Sequence, residues 1–334
     1  MNPLPARDLD HVLEKTESLW AEARGARFFI TGGTGFVGTW LTESLLFINQ
    51  RLDLGMDAVV LTRNPSKVKR AKFLAGDVKE FAIPAEHFDF VIHAAAHPYI
   101  PPSVEWPAGL LDQEMAATRR VLTLAHQCGA RRMLFTSSGA AYGKQPPEIT
   151  HVTEEYTGGP MPFDTGTAYG VSKRVSEYLC SCYSQVYGFE ATLARLFAFI
   201  GPCLPLSANY AAGNFLRDAM AGGPIEIAGD GTPYRSYLYA ADLAIWLWTI
   251  LFRGKSARPY NVGSPEQVSI LELARTIARE VAPKSEIRVA KEAVAGSAPA
   301  RYVPSVERAE KELGLKVWVG LDEAIRRTAE WHRR

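Results

Sequence analysis

The chain has 334 residues, 47% of them hydrophobic and 22% charged, with a formal net charge of +1. That length suffices for one large domain or two smaller ones, and the composition is globular rather than disordered. The near-zero charge gives no electrostatic argument for binding nucleic acid or an anionic membrane surface.

The first 25 residues read as a polar leader carrying one amphipathic helix, about Asp8 to Ala23. They lack the basic start, apolar stretch and cleavage site of a signal peptide. Apolar strands then alternate with helical patterns. "RFFIT" (27–31) is followed by a helix from Phe36 to about Asn49, then "DAVVLTR" (57–63), "AKFLAGDV" (71–78) and "FDFVIHAAA" (88–96). A long helix at about 109–128 leads to "RRMLFTSS" (131–138), and another at about 168–187 leads to "EATLARLFAFIG" (190–201). Strands that are apolar throughout and separated by helices predict a parallel sheet covered on both faces, the doubly wound α/β architecture. Beyond about residue 200 Pro and Gly punctuate more often, and helices are expected near 240–252, 268–280, 306–313 and 320–332. These are assigned to a smaller, partly interleaved C-terminal α/β lobe. The division expected is a leader over 1–25, a dinucleotide-binding domain over 26–200 and a substrate-binding lobe over 201–334, with a strand and helix from about 232–262 able to return to the first domain. The most apolar stretch, "AIWLWTILF" (244–252), is shorter than the roughly 20 residues of a membrane span and reads as a buried helix. Cys128, Cys180, Cys182 and Cys203 follow neither zinc nor disulfide spacing, so they read as reduced packing residues of a cytoplasmic protein, and no metal is expected.

Two motifs carry chemistry. In "TGGTGFVG", Gly32, Gly35 and Gly38 leave the first strand and open its helix with GxxGxxG spacing. Residues without a Cβ let amides approach a pyrophosphate at the helix N-terminus, so a dinucleotide is expected there. The second strand ends in Thr62, Arg63 and Asn64, with no acid to hold the ribose hydroxyls of NAD. Arg63, helped by Lys67, suits the 2′-phosphate of NADP, which is favoured over NAD. In "YGVSK", Tyr169 and Lys173 lie at i and i+4 on one helix face. An ammonium beside a phenol is expected to lower its pKa and make it a proton donor and acceptor at a carbinol oxygen. Ser137 and Ser138 end the fifth strand at the sheet's carboxyl edge, where a hydroxyl can bond that same substrate oxygen.

With "GDV" (76–78), "HAAA" (93–96), "TSSGAAYG" (136–143) and "GDGTPYRSYLYAADLA" (229–244), these motifs resemble the extended short-chain dehydrogenase/reductase family in its nucleotide-sugar epimerase/dehydratase branch, over about residues 26–332. The resemblance implies a Rossmann-type domain and a catalytic Ser138, Tyr169 and Lys173. It places Phe36, Val37, Asp77, Val78, Ala94 and Ala95 at the cofactor, together with Tyr169 and Lys173, the lysine near the nicotinamide ribose. It also implies a homodimer through the helices at about 109–128 and 168–187, and a nucleoside-diphosphate sugar in the second lobe held by Asn214, Arg235 and Arg301. Guanidinium groups suit a diphosphate because they donate paired hydrogen bonds.

The chain departs from the family's pattern at several points. The dehydratases' Asp-Glu pair after the strand-end hydroxyl is replaced by Gly139 and Ala140, and the decarboxylases' acid also falls at Ala140. Both activities are therefore disfavoured. Glu154 and Glu155 in the loop beyond are expected to be surface charges. The family's interface-helix Asn corresponds to Glu114, and the Asn after the sixth strand to Ala198. The remaining groups need only a sugar carbinol and a nicotinamide. A 4-epimerase ranks first, an NADPH-dependent 4-keto-sugar reductase second, and an unusual dehydratase or a non-catalytic dinucleotide binder below them.

Overall fold

The computed structural model describes residues 2–68, 70–96, 108–207, 210–294 and 296–334. Seven strands, β1 (Arg27–Thr31), β2 (Asp57–Thr62), β3 (Lys72–Ala75), β4 (Phe90–His93), β5 (Arg132–Ser138), β6 (Glu190–Leu196) and β7 (Pro259–Val262), form one sheet in the order 7-6-5-4-1-2-3. Every neighbouring pair is parallel. The apolar runs explain this arrangement: successive residues face opposite sides, and both sides are largely buried except in the edge strand β3, where Phe73 is exposed. Phe28 and Ile30 of β1 enter one core while Phe29 enters the other.

Helix α1 (Ala6–Thr16) belongs to the leader and α2 (Phe36–Leu52) follows β1; α3 (Ala108–Gln127) and α4 (Ala168–Tyr187) cover the Phe29 face. The other face is covered by α2 and by α6 (Ala240–Arg253), which lies beyond α5 (Ala211–Met220). Residues Ala240–Phe252 of α6 are all buried, because the helix is enclosed between the sheet and the leader. Thus β7 joins the sheet and α6 packs on it, and the other segments beyond residue 200 form the region that the sequence assigns to the smaller lobe. That lobe holds α5, α7 (Ile270–Val281), α8 (Glu307–Leu313), α9 (Leu321–His332) and small sheets. A capping box between Ser269 and Glu272 starts α7. In one small sheet Tyr234–Arg235 pairs antiparallel with Val268–Ser269 and parallel with Arg301–Tyr302.

The leader is part of the core. After α1 a 3-10 segment, Glu17–Ala23, buries Trp20 completely, edge-on to Trp248 at 5.0 Å and Phe252 at 5.4 Å. Asp8 is fully buried and accepts from the Tyr239 hydroxyl at 2.7 Å and Arg327 at 2.8 Å. Trp20→Ala is therefore expected to destabilise the fold by about 3–5 kcal/mol in denaturant unfolding, the usual cost of truncating a buried aromatic. A loss below about 1 kcal/mol would show that the leader is peripheral.

Cys128 and Cys180 lie in the α3–α4 core, and burial pushes the Cys203 thiol up to about 12. No helix among the described residues is long and apolar enough to cross a membrane.

Candidate active site

The parallel sheet brings the ends of β1, β4 and β5 to one edge, where ligands bind in doubly wound folds. At β1, Gly32 has φ +72°, and a Cβ there would lie 2.5 Å from the Ala94 carbonyl and the Ala95 nitrogen. Close approach of the β1 and β4 ends thus demands glycine before any ligand is considered. Thr31 closes the same corner: its hydroxyl meets Nδ1 of His93 at 2.8 Å and accepts from the Ala95 amide at 3.3 Å. Burial pushes the His93 pKa down to about 3, so the imidazole is neutral. A Cβ on Gly38 would strike the Gly32 carbonyl oxygen at 2.1 Å.

Gly35 differs. It is exposed, has φ −84° as the N-cap of α2, and its Cβ would meet only the Gly32 oxygen, at 3.4 Å. The fold does not require glycine there, whereas a phosphate approaching the first-turn amides of α2 does. This open cradle fits a dinucleotide pyrophosphate. Gly35→Ala should cost only about 0.5–1 kcal/mol of stability but weaken dinucleotide binding about tenfold or more in calorimetry. Unchanged affinity would show that no phosphate approaches this turn. Along the same edge Arg63 and Lys67 are exposed after β2, and Asp77 and Val78 follow β3, with Asp77 accepting from the Lys79 amide.

At the end of β5, Ser138 accepts from the Ala140 amide at 3.1 Å and lies 3.4 Å from the Tyr302 hydroxyl. It also hydrogen-bonds Tyr169 in a way that favours the ionised phenol. Helix α4 places Lys173 one turn beyond Tyr169, with Nζ 5.6 Å from the phenol ring centre. Lys173 is 1% exposed, donates to the Thr136 carbonyl at 3.3 Å and pairs with the Glu114 carboxylate of α3 at 3.3 Å. Contrary to the sequence expectation, the Tyr169 phenol is held well above the usual tyrosine range. Burial is the main cause, and the negative charge of the Glu114 carboxylate is the second.

The neighbouring serine corrects another expectation. Ser137 points to the opposite side of β5, is 2% exposed and donates to Glu177, which forms a paired ion contact with Arg195 at 2.9 and 2.6 Å. It supports the α4–β6 packing and does not face Tyr169. Arg301 is likewise displaced from its expected role. In register, Tyr302 pairs with Arg235 and Arg301 with Tyr234, so the two couples face opposite sides. Arg235 sits 5.8 Å over the Tyr302 ring on the Ser138 side. Arg301 lies 4.5 Å over the Tyr234 ring and donates to Gln267. Asn214 is on α5, one turn past Tyr210, and accepts from Arg217 at 3.3 Å; Tyr210 itself contributes to the Tyr169 surroundings.

Tyr302 escaped the sequence analysis. Its ring packs on Phe197 at 4.7 Å, and its hydroxyl occupies the space above Gly139, where a Cβ would lie 2.8 Å from it. The side chain missing at 139 is thus matched by a phenol arriving from residue 302. Of the two loop acids, Glu155 is a surface charge paired with Arg308, whereas the Glu154 side chain is 2% exposed. Glu154 accepts from the Asn261 amide at 2.8 Å, and burial raises its pKa. It braces the end of β7 instead of facing solvent.

A glycine turn on a helix N-terminus, with a serine, tyrosine and lysine gathered at the same sheet edge, is the arrangement of a nicotinamide-dependent short-chain dehydrogenase/reductase. Residues 28–263 match the NAD dependent epimerase/dehydratase family, and the chain belongs to it. It is 30% identical to UDP-glucuronic acid decarboxylase 1 of Xenopus tropicalis over 323 residues, 92% of this chain and 72% of that one. Among solved structures it resembles the Thermus thermophilus UDP-glucose 4-epimerase complex with NAD, with 26% identity, TM-score 0.75, and coverage of 92% of this chain and 99% of the other. The fold is shared with a Thermotoga maritima UDP-glucose 4-epimerase, at 19% identity, TM-score 0.77 and coverage of 92% and 98%. The protein is an NAD-dependent enzyme of the short-chain dehydrogenase/reductase type.

Proposed function

We propose that the enzyme moves a hydride at a carbinol of a nucleoside-diphosphate sugar, as a 4-epimerase. The carrying observation is that Ser138, Tyr169 and Lys173 meet at the sheet edge that also carries the glycine turn, while Gly139 and Ala140 supply no acid for eliminating water or directing decarboxylation. Gly32, Gly35, Phe36, Val37 and Gly38 would hold the dinucleotide's pyrophosphate, with Ala94 and Ala95 along its length. The bound nicotinamide supplies a reversible hydride acceptor. Ser138 fixes the sugar oxygen, Tyr169 takes and returns its proton, and Lys173 positions the phenol. Arg235 is the guanidinium suited to the sugar's diphosphate. The relatives' names make uridine diphosphate sugars the first substrates to test.

A keto-sugar reductase is the second reading, favoured by the Glu114 carboxylate beside Lys173 and by Arg63, which suits NADP over NAD. A homodimer through α3 and α4 is part of the proposal, supported by Tyr178, Val186 and Tyr187 on α4, which are 70%, 72% and 46% exposed. Incubation with UDP-, GDP-, CDP- and dTDP-sugars, followed by mass and nicotinamide absorbance, separates the readings. An epimerase interconverts sugars of equal mass with no net change in reduced nicotinamide, and a reductase consumes NADPH only with a keto-sugar. Loss of water from the sugar, or of carbon dioxide from a uronic acid, would contradict the role given to Ala140.

A further inference from the structure

The Lys173–Glu114 ion pair is a departure from a lysine acting alone on the phenol. Both side chains are nearly sealed from water, at 1% and 4% exposure, with Nζ to Oε2 at 3.3 Å. The pair joins α3 to α4 at the level of the Thr136 carbonyl, to which Lys173 also donates. Charges this close and this dry act on their surroundings almost as a single neutral dipole. Among the described residues, groups that face the pair include Tyr169 on α4 and neutral His93 on β4, with Tyr210 at the start of α5 bordering the phenol. Glu177, one turn past Lys173, is occupied by Arg195 and Ser137. Among the described residues, Lys173 is a cation that faces Tyr169, and Glu114 is a carboxylate paired with it.

We propose that Glu114 is a positioning residue that anchors the Lys173 ammonium and cancels its charge at Tyr169, so that the phenol rests as a proton donor rather than a base. The inference rests on reading Tyr169 as the proton-carrying group, and it favours the reductase reading, because a neutral phenol can give a proton to a carbonyl but must first lose its own to take one from a carbinol.

Tyrosinate absorbance during an alkaline titration tests this without substrate, so a failed sugar panel and a failed charge assignment remain separate results. In the unmodified protein Tyr169 should not ionise below about pH 10, the ordinary tyrosine value. In Glu114→Gln one tyrosinate should appear at least about one pH unit lower than in the unmodified protein, as expected when an adjacent like charge is removed from a buried group. That signal should vanish in Glu114→Gln with Tyr169→Phe, and Glu114→Asp should restore the original curve. Glu114→Asn, whose smaller side chain leaves room for a water, replaces Gln where Gln does not fold. A titration of Glu114→Gln or Glu114→Asn that superimposes on that of the unmodified protein overturns the proposal, as does an extra tyrosinate that survives Tyr169→Phe.

Discussion

Tyr169→Phe is expected to lower the rate of hydride transfer by about 10²–10⁴-fold, the range a positioned proton donor or acceptor contributes. The change removes one oxygen from a ring held between Ser138 and Lys173. The ring keeps its packing, so unfolding free energy should move by less than about 1 kcal/mol. Dinucleotide affinity should also be kept, because the phosphates rest on a different element. Ser138→Ala should cost less: Ser138 orients the oxygen but carries no proton away, and Tyr302 places a second hydroxyl 3.4 Å from it. A Tyr169→Phe enzyme that retains most of its rate would move the proton chemistry elsewhere, with Tyr302 the nearest alternative.

The largest structural effect should follow Gly38→Ala. Its Cβ would lie 2.1 Å from the Gly32 oxygen and 2.6 Å from both the Gly32 carbonyl carbon and the Gly33 Cα. All three are backbone atoms, so no side-chain rotation relieves the clash. The turn must open or α2 must lift from the sheet. Forced overpacking costs about 1–3 kcal/mol or more, and here the displaced atoms belong to the turn proposed to hold the pyrophosphate. Loss of stability together with loss of dinucleotide binding is expected by thermal melt and calorimetry. Gly35→Ala, three residues earlier, should lose binding with little loss of stability. If the two variants behave alike, the distinction between a glycine required by the fold and one required by the ligand fails.

The contrast between these glycines shows what was legible in the sequence. Strand, glycine turn and helix announce themselves through local order, and the i, i+4 spacing of Tyr169 and Lys173 needs only one helix to have meaning. Apolar runs located the first six strands, because strands buried on both faces show no alternation. The returning strand β7 and the place of α6 were harder to read, since a short apolar strand after a buried helix fits either lobe. Strand parity was lost at β5: adjacent Ser137 and Ser138 look equivalent in sequence, yet one supports Glu177 and the other faces Tyr169. The same parity separates Arg301 from Tyr302. An aromatic residue directly after Arg301, which the sequence had singled out, was the available signal for Tyr302. Its contact with Ser138 spans 164 positions, beyond what local pattern reaches. The match of Lys173 to Glu114 was concealed for the same reason, although Glu114 stood out as an acid in place of the family's Asn. The leader read only as a polar segment with an amphipathic helix, whose packing partner no local pattern names; the assembled structure places Asp8 and Trp20 inside.

The central claim is that one sheet edge joins a phosphate-binding turn to the Tyr169 phenol, so that a dinucleotide resting on the first brings its nicotinamide to the second. A crystal structure of the protein with a nicotinamide dinucleotide measures this directly. The account requires the pyrophosphate on the amides of residues 35–37 and the nicotinamide ring in contact with Tyr169. A dinucleotide bound elsewhere, or one whose nicotinamide lies away from Tyr169, would contradict it.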